Sequence, residues 1–273
     1  MTAPDMQFHN KQQGTIRMTF KKTILAATAA AMTLMGSTAM AEALRVGVEG
    51  AYAPFSKKEA DGTLSGFDID MAYALCEQLE RECVLVEQEW DGMIPALIAN
   101  KYDAIIASMS ITEDRKKKVS FSEKYYHTPS RFIAKDGASF ELTAEGTKGV
   151  KIGVLRGTTL QCYVEKHFPD ADIKLYNTQE DVFADLTAGR LDLQLNNTLG
   201  ALDGFLNTPQ GEGFSFYGED LDDPACLGEG VGIAVRKDDP LAAELSAAIK
   251  EIRADGTYKT INDKYFPVDI YGN

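Results

Sequence analysis

Basic charge is in short supply in this 273-residue chain. Its 28 lysines and arginines face 41 aspartates and glutamates, a formal net charge of −13. Nucleic-acid and anionic-membrane surfaces need a basic footprint, so the deficit argues against both. Cysteine is scarce too, and the four present, Cys76, Cys83, Cys162 and Cys226, have neither CxxC nor CxH spacing. Zinc is therefore not expected, nor is any other metal. His127 and His167 have no cysteine or histidine at metal spacing and read as structural or surface groups. No Ser-His-Asp or Cys-His constellation suggests a nucleophile. Long apolar runs are missing beyond residue 41, so no later segment is expected to span a membrane. What is present is ordinary globular usage, 44% hydrophobic and 25% charged, which excludes collagen-like, coiled-coil and wholly disordered chains. The length suits one large domain or two small ones.

The first 41 residues read as an address. Arg17, Lys21 and Lys22 precede an apolar run from Ile24 to Met32, and Ala39-Met40-Ala41 follows. Basic, apolar, then small-x-small is the layout of a secretory signal, with cleavage expected after Ala41. The competing reading, a membrane anchor, needs roughly 20 apolar residues, and the run is shorter. Met18 is a candidate start, because Met18-Thr19-Phe20-Lys21-Lys22 opens such a signal. The leader holds four basic residues and Asp5, which leaves 24 basic against 40 acidic on the 232 exported residues, a net −16. Export to the periplasm makes disulfides admissible. Cys76 and Cys83 lie seven apart, a loop whose closure is worth about 2.5 kcal/mol in the chain-entropy model. Cys162 and Cys226 are a candidate second bridge, which spacing alone does not decide.

The exported part repeats one pattern. Residues 44–48 predict a strand running into a loop at 49–55. Ile69, Ala72, Tyr73, Cys76 and Leu79 are spaced for one helix face. A strand at 84–86, a short helix after Trp90-Asp91-Gly92 and a strand at 103–107 follow. The order then recurs: a strand at 151–155, the turn Arg156-Gly157-Thr158-Thr159, and a helix to about His167. Next come a strand at 173–176, a helix opened by a Thr178/Asp181 capping box and stopped at Gly189, and a strand at 191–195. Strands alternating with helices predict parallel α/β sheets. A last strand at 231–235 and a helix from Leu241 to about Asp255 are too little for a third domain and are expected to return to the first lobe. The expected fold class is α/β, two Rossmann-like lobes joined by a two-strand hinge. Lobe 1 takes 42–126 and 231–273, lobe 2 takes 130–225, and the hinge takes 127–129 and 226–230.

Open parallel sheets bind ligands outside the carboxyl ends of their strands. Those ends carry Glu49 and Tyr52, Trp90, Ala107, Ser108 and Ser110, Leu155, Thr158 and Thr159, and Asn197. Arg115 follows the Ser110 loop closely enough to reach the same crevice, and its fork matches a carboxylate. The helix start after Gly157 offers free N–H groups to the same anion. Taken alone, Tyr52 and Trp90 suit a core as well as a cleft, and Lys116 to Lys118 read as a solvated helix face.

With these residues in view, the chain resembles the periplasmic solute-binding proteins of polar amino-acid ABC transporters, above all the lysine/arginine/ornithine and histidine binders. The matching stretches are 49–55 (Glu-Gly-Ala-Tyr-Ala-Pro-Phe), 66–70 (Gly-Phe-Asp-Ile-Asp), 90–95 (Trp-Asp-Gly-Met-Ile-Pro) and 103–106. Further matches are Ser110-Ile111-Thr112 with Arg115, Gly153-Val154-Leu155 with Gly157-Thr158-Thr159, and Asp255-Gly256-Thr257-Tyr258. The resemblance runs in order through 44–273. It implies the type II periplasmic binding fold, a monomer without cofactor, and an inner-membrane permease as partner. It also implies that Arg115 clamps an α-carboxylate with Thr158 and Thr159, and that Ser108 and Ser110 take the α-ammonium. Tyr52 and Trp90 would sandwich the side chain, and Glu49 would meet its distal cation, with Leu155 added on closure. The Cys76–Cys83 spacing matches a bridge of that subgroup. Two positions depart from the pattern. Asn197 stands where the family usually places an Asp on the ammonium, which favours a secondary amine such as an opine. Leu160 replaces a polar residue near the side-chain head. Two other roles stay open: a dehydratase of the cyclohexadienyl type on the same fold, and presentation of the ligand to a membrane sensor.

Overall fold

The computed structural model describes residues 42–272; the expected leader and its cleavage point lie outside the described residues. Among the described residues no helix is long and apolar enough to cross a membrane. In chain order the first lobe opens with β1 (Leu44–Val48), the small ribbon β2 (Ala51–Tyr52), β3 (Ser56–Lys58) and β4 (Leu64–Ser65), and α1 (Phe67–Gln78). Then come β5 (Cys83–Glu87), α2 (Met93–Ile98), β6 (Ala104–Ile105), α3 (Glu113–Lys116) and β7 (Val119–Tyr126). The second lobe holds β8 (Ser130–Lys135), β9 (Lys151–Leu155), α4 (Thr159–His167), β10 (Asp172–Tyr176) and α5 (Gln179–Thr187). It continues through β11 (Leu193–Asn197), α6 (Thr198–Ala201), β12 (Phe214–Leu221) and α7 (Pro224–Leu227). The chain closes with β13 (Val231–Arg236), α8 (Leu241–Ala254) and α9 (Thr257–Tyr265).

Two five-stranded sheets result, ordered β5-β1-β6-β13-β7 and β10-β9-β11-β8-β12. The alternating segments pair in parallel as expected, β1 with β5 and β6, and β9 with β10 and β11. The sheets are nonetheless mixed. β13 runs antiparallel to β6 and β7, and β8 runs antiparallel to β11 and β12. A strand that arrives directly from the other lobe, without a crossover helix, enters reversed. The expectation of purely parallel sheets is corrected accordingly.

Each sheet is covered on both faces, which is why its central strands are apolar throughout. In the first, Leu44, Val46 and Val48 pack with Leu75 of α1 and Leu245 of α8, while Met93, Leu97 and Tyr102 fill the other side. In the second, Val154, Leu160 and Leu195 line one face and Val182, Phe183 and Phe205 the other. On α1 the buried side includes Ile69, Ala72 and Cys76, but Tyr73 is 51% exposed; Phe67, Met71 and Leu75 complete the core face instead. Thr178 accepts from Asp181 N at 3.2 Å, so the expected cap forms, with Asp181 bonded to the Thr178 hydroxyl. Cys76–Cys83 and Cys162–Cys226 are both bridged.

Candidate functional site

A cavity of about 380 Å³ lies at the carboxyl ends of both sheets. All twelve residues singled out from sequence line it: Glu49, Tyr52, Trp90, Ala107, Ser108, Ser110 and Arg115 from the first lobe, and Leu155, Thr158, Thr159, Leu160 and Asn197 from the second. The lobes touch across it. Arg115 donates to Ser110 O at 2.9 Å within its own lobe and to Gly157 O at 3.4 Å on the other. Tyr52 donates to Asn196 Oδ1 at 3.5 Å, and a Cβ on Gly200 would sit only 2.7 Å from the Tyr52 hydroxyl. Glycine at 200 is thus required by the close approach of the tyrosine. Leu199 packs against the core of the first lobe.

Arg115 is held in place by local chemistry. Thr112 caps α3, accepting from Arg115 N at 3.3 Å, and the guanidinium carbon stands 5.2 Å from the Trp90 ring centre. Among the described residues no carboxylate pairs with it, and burial pushes its pKa down to about 10. Glu49, at the end of β1, makes no hydrogen bond or ion pair among the described residues. Burial, and then the nearby Asp68 charge, raise its pKa to about 7. The cavity therefore holds one guanidinium and one carboxylate, each desolvated and neither neutralised by the other. A buried charge without a partner is costly, so such groups are completed by a ligand of opposite sign.

The rest of the lining positions these two. Thr158 caps α4: its hydroxyl accepts from Gln161 N at 3.3 Å and donates to Leu155 O at 2.6 Å. The helix thus presents its N-terminal end to the cavity. Ser108 sits at φ 54°, left-handed backbone that favours glycine, and its hydroxyl donates to Asp68 Oδ2 at 2.8 Å. Tyr125 donates to the other oxygen of Asp68 at 2.7 Å. Asp68 is fully buried, and desolvation outweighs those two bonds, lifting its pKa to about 7. Asn197 caps α6 by accepting from Leu199 N at 3.1 Å.

Sequence reasoning missed several groups. Asp68 was quoted for its motif and given no role, although a carboxylate on an apolar helix face is itself a signal. Gln179, Thr128, Gly228, Asp220 and Asp222 also line the cavity. His127 lies there too, exposed, in keeping with a surface reading. Among the described residues no group of histidine, cysteine and acid side chains could hold a metal.

Two α/β lobes linked by two crossings and meeting over a charged internal cavity define the class of two-lobed solute-binding proteins. The chain belongs to the bacterial extracellular solute-binding proteins, family 3, which match over residues 44–268. It is 47% identical over 256 residues to the L-arginine-binding protein of Pseudomonas aeruginosa, covering 93% of this chain and 99% of that one. It is 40% identical over 238 residues to the lysine/arginine/ornithine-binding periplasmic protein of Escherichia coli, covering 86% and 92%. Among solved structures, an ancestral arginine-binding protein bound to arginine matches with a TM-score of 0.76 at 35% identity, covering 83% and 99%.

Proposed function

We propose that the protein is the periplasmic substrate-binding component of an amino-acid ABC importer, a monomer that traps a basic L-amino acid and delivers it to the membrane permease. The observation that carries this reading is the pair of unneutralised charges, Arg115 and Glu49, in one cavity. An amino acid with a cationic side chain is complementary to both. Arg115 and the start of α4 hold the α-carboxylate, with the Thr159 hydroxyl beside them. Ser108 and Ser110 receive the α-ammonium. Tyr52 and Trp90 flank the aliphatic stem and, for arginine, the flat guanidinium. Glu49 meets the distal cation, and Leu155 and Leu160 close the wall.

Trapping is a rotation of lobe against lobe, and hydrogen bonds confine where it bends. In the first crossing His127 N donates to Ile270 O of lobe 1 at 2.8 Å, and Thr198 N of lobe 2 donates to Pro129 O at 2.9 Å. Thr128 is left between them. In the second, Gly228 N donates to Pro224 O at 3.1 Å, while Glu229 N donates to Ile111 O of lobe 1 at 3.2 Å. Gly228 is the second pivot. A ligand that fills both jaws favours the closed form by its preference for that form alone.

A second reading has its own observation. Asn197 spends its carbonyl oxygen on the α6 cap, which leaves a donor amide where an acid would serve a free ammonium. That amide suits the extra carboxylate of an opine. A dehydratase would instead use Glu49 as an acid and base; the relatives above are binding proteins. One thermal-shift and calorimetry panel tests all three, with arginine, lysine, ornithine, histidine, glutamine, octopine and nopaline, and with prephenate turnover followed separately. Basic amino acids are expected to give the largest shifts, and ligand at a hundred times its Kd stabilises by about 2.7 kcal/mol. Arg115→Ala is expected to weaken binding by roughly a hundredfold or more, the scale of stranding one partner of a buried charge pair. Near-wild-type affinity in that variant sinks the carboxylate clamp, and a response to opines alone transfers the reading to them.

A further inference from the structure

Four buried side chains of the second lobe carry polar atoms with no hydrogen-bond partner: Arg131, Gln179, Gln194 and Asn196. Gln179 stands apart from the others because it also lines the ligand cavity. It is the first residue of α5, 6% exposed, and its side chain makes no hydrogen bond among the described residues. Asn196, by contrast, already accepts from Asn197 N at 2.9 Å. Buried amides are nearly always paired, and an orphan in a cavity wall is explained by a ligand.

The fold says which end of a ligand it meets. α5 packs against β2, the strand that carries Tyr52 and begins two residues after Glu49. Glu49 and Gln179 therefore come from opposite lobes to one end of the cavity, away from the Arg115 contact with Gly157. We infer that Gln179 is a specificity residue for the side-chain head: its carbonyl oxygen accepts from the distal cation beside Glu49 and selects guanidinium over ammonium. This rests on the basic-amino-acid reading above and deepens it.

The preference follows from donor counting. A guanidinium is a planar fork whose N–H groups point in fixed directions, and a carboxylate engages only one side of it. The remaining N–H groups need an acceptor in the same plane, which a second lobe can supply on closing. An ammonium carries three rotatable donors and can turn to what Glu49 and solvent offer. An amide serves here because it is neutral. A second carboxylate would add another desolvation cost next to Glu49 and Asp68, whose own ionisation burial already opposes.

The test uses the exported chain with Gln179→Met, which keeps the volume and removes the amide, and Gln179→Glu, which keeps an acceptor. Titration calorimetry gives Kd for arginine and ornithine, and thermal unfolding without ligand reports on the fold. Gln179→Met is expected to weaken arginine roughly tenfold to a hundredfold, the scale of one hydrogen bond to a charge, with ornithine within about threefold. Its ligand-free melting temperature should not fall, since the lost amide had no partner; Gln179→Glu should recover most of the arginine affinity. Unchanged arginine affinity, or equal losses for both ligands with a lower melting temperature, overturns the inference and leaves Gln179 a structural residue. A wild-type protein that binds neither ligand instead overturns the basic-amino-acid reading, and this inference falls with it.

Discussion

Glu49 and Asp68 are both acids whose ionisation the fold opposes, and they give the unliganded protein a definite pH dependence. Their pKa values stand near 7, against unfolded values of 4.5 and 3.8. Between those limits the folded chain binds more protons than the unfolded one, so stability without ligand falls as pH rises through that window. A basic ligand reverses the balance at Glu49, because its cation favours the carboxylate. The melting-temperature shift produced by saturating arginine is therefore expected to be larger at pH 8 than at pH 5. Affinity should weaken by up to roughly tenfold per pH unit below 7. An equal or larger shift at pH 5 would show that Glu49 does not face the cation. Twelve lining residues were legible from sequence because strand ends and motifs mark them. Asp68 and Gln179 were not, because each is defined by what it lacks: water in one case and a partner in the other.

At the scale of elements, caps and apolar periodicity were the readable signals, and α4, α5 and α8 carry them. The strands that enter from the opposite lobe were not legible. β7 mixes Glu123, Lys124 and aromatic residues without clean alternation, and β12 ends in Gly218, Glu219 and Asp220. Their sheet partners are distant in sequence, so no local period announces them. α9 was missed because Gly256 was read as an end; at φ 90° it turns the chain from α8 directly into α9. The Cys162–Cys226 bridge joins α4, whose start faces the cavity, to α7 in the second crossing. Asp223 reinforces the joint, accepting from Lys166 at 2.7 Å, lying 2.7 Å from His167 Nε2 and capping α7. Its pKa is held at about 2, chiefly by the Lys166 and His167 bonds. Replacing both cysteines by serine removes a constraint worth about 2–5 kcal/mol and should lower the melting temperature by roughly 5–15 °C. Because the bridge ties the anion-facing helix to the pivot, arginine affinity should fall as well. A lower melting temperature with unchanged affinity would reduce the bridge to a staple of lobe 2.

For the whole molecule, the internal repeat made two lobes legible, since each half carries the same strand-helix alternation. The contact between them was not, because it belongs to neither half alone. Tyr52 against Gly200, Arg115 against Gly157, and Leu199 on the first core describe jaws in contact. If that arrangement is the trapping form, its cost must be adjustable at the pivot without touching a ligand group. Gly228 has φ 84°, and a Cβ there would meet Ile111 O at 2.4 Å and Ile111 C at 3.1 Å. Gly228→Ala therefore strains the present arrangement, and a different interlobe angle relieves it by separating the crossing from Ile111. Any free energy that disfavours the closed form appears in full as lost affinity when the open form dominates without ligand. Gly228→Ala is expected to raise the arginine Kd by roughly tenfold or more, since 1.4 kcal/mol of strain suffices for that factor. Small-angle scattering should show the wild-type radius of gyration shrinking on arginine addition, and the variant reaching the same compaction only at higher arginine. A variant with wild-type Kd and an identical scattering titration would mean that the second crossing bends elsewhere, and the pivot would have to be sought outside Gly228.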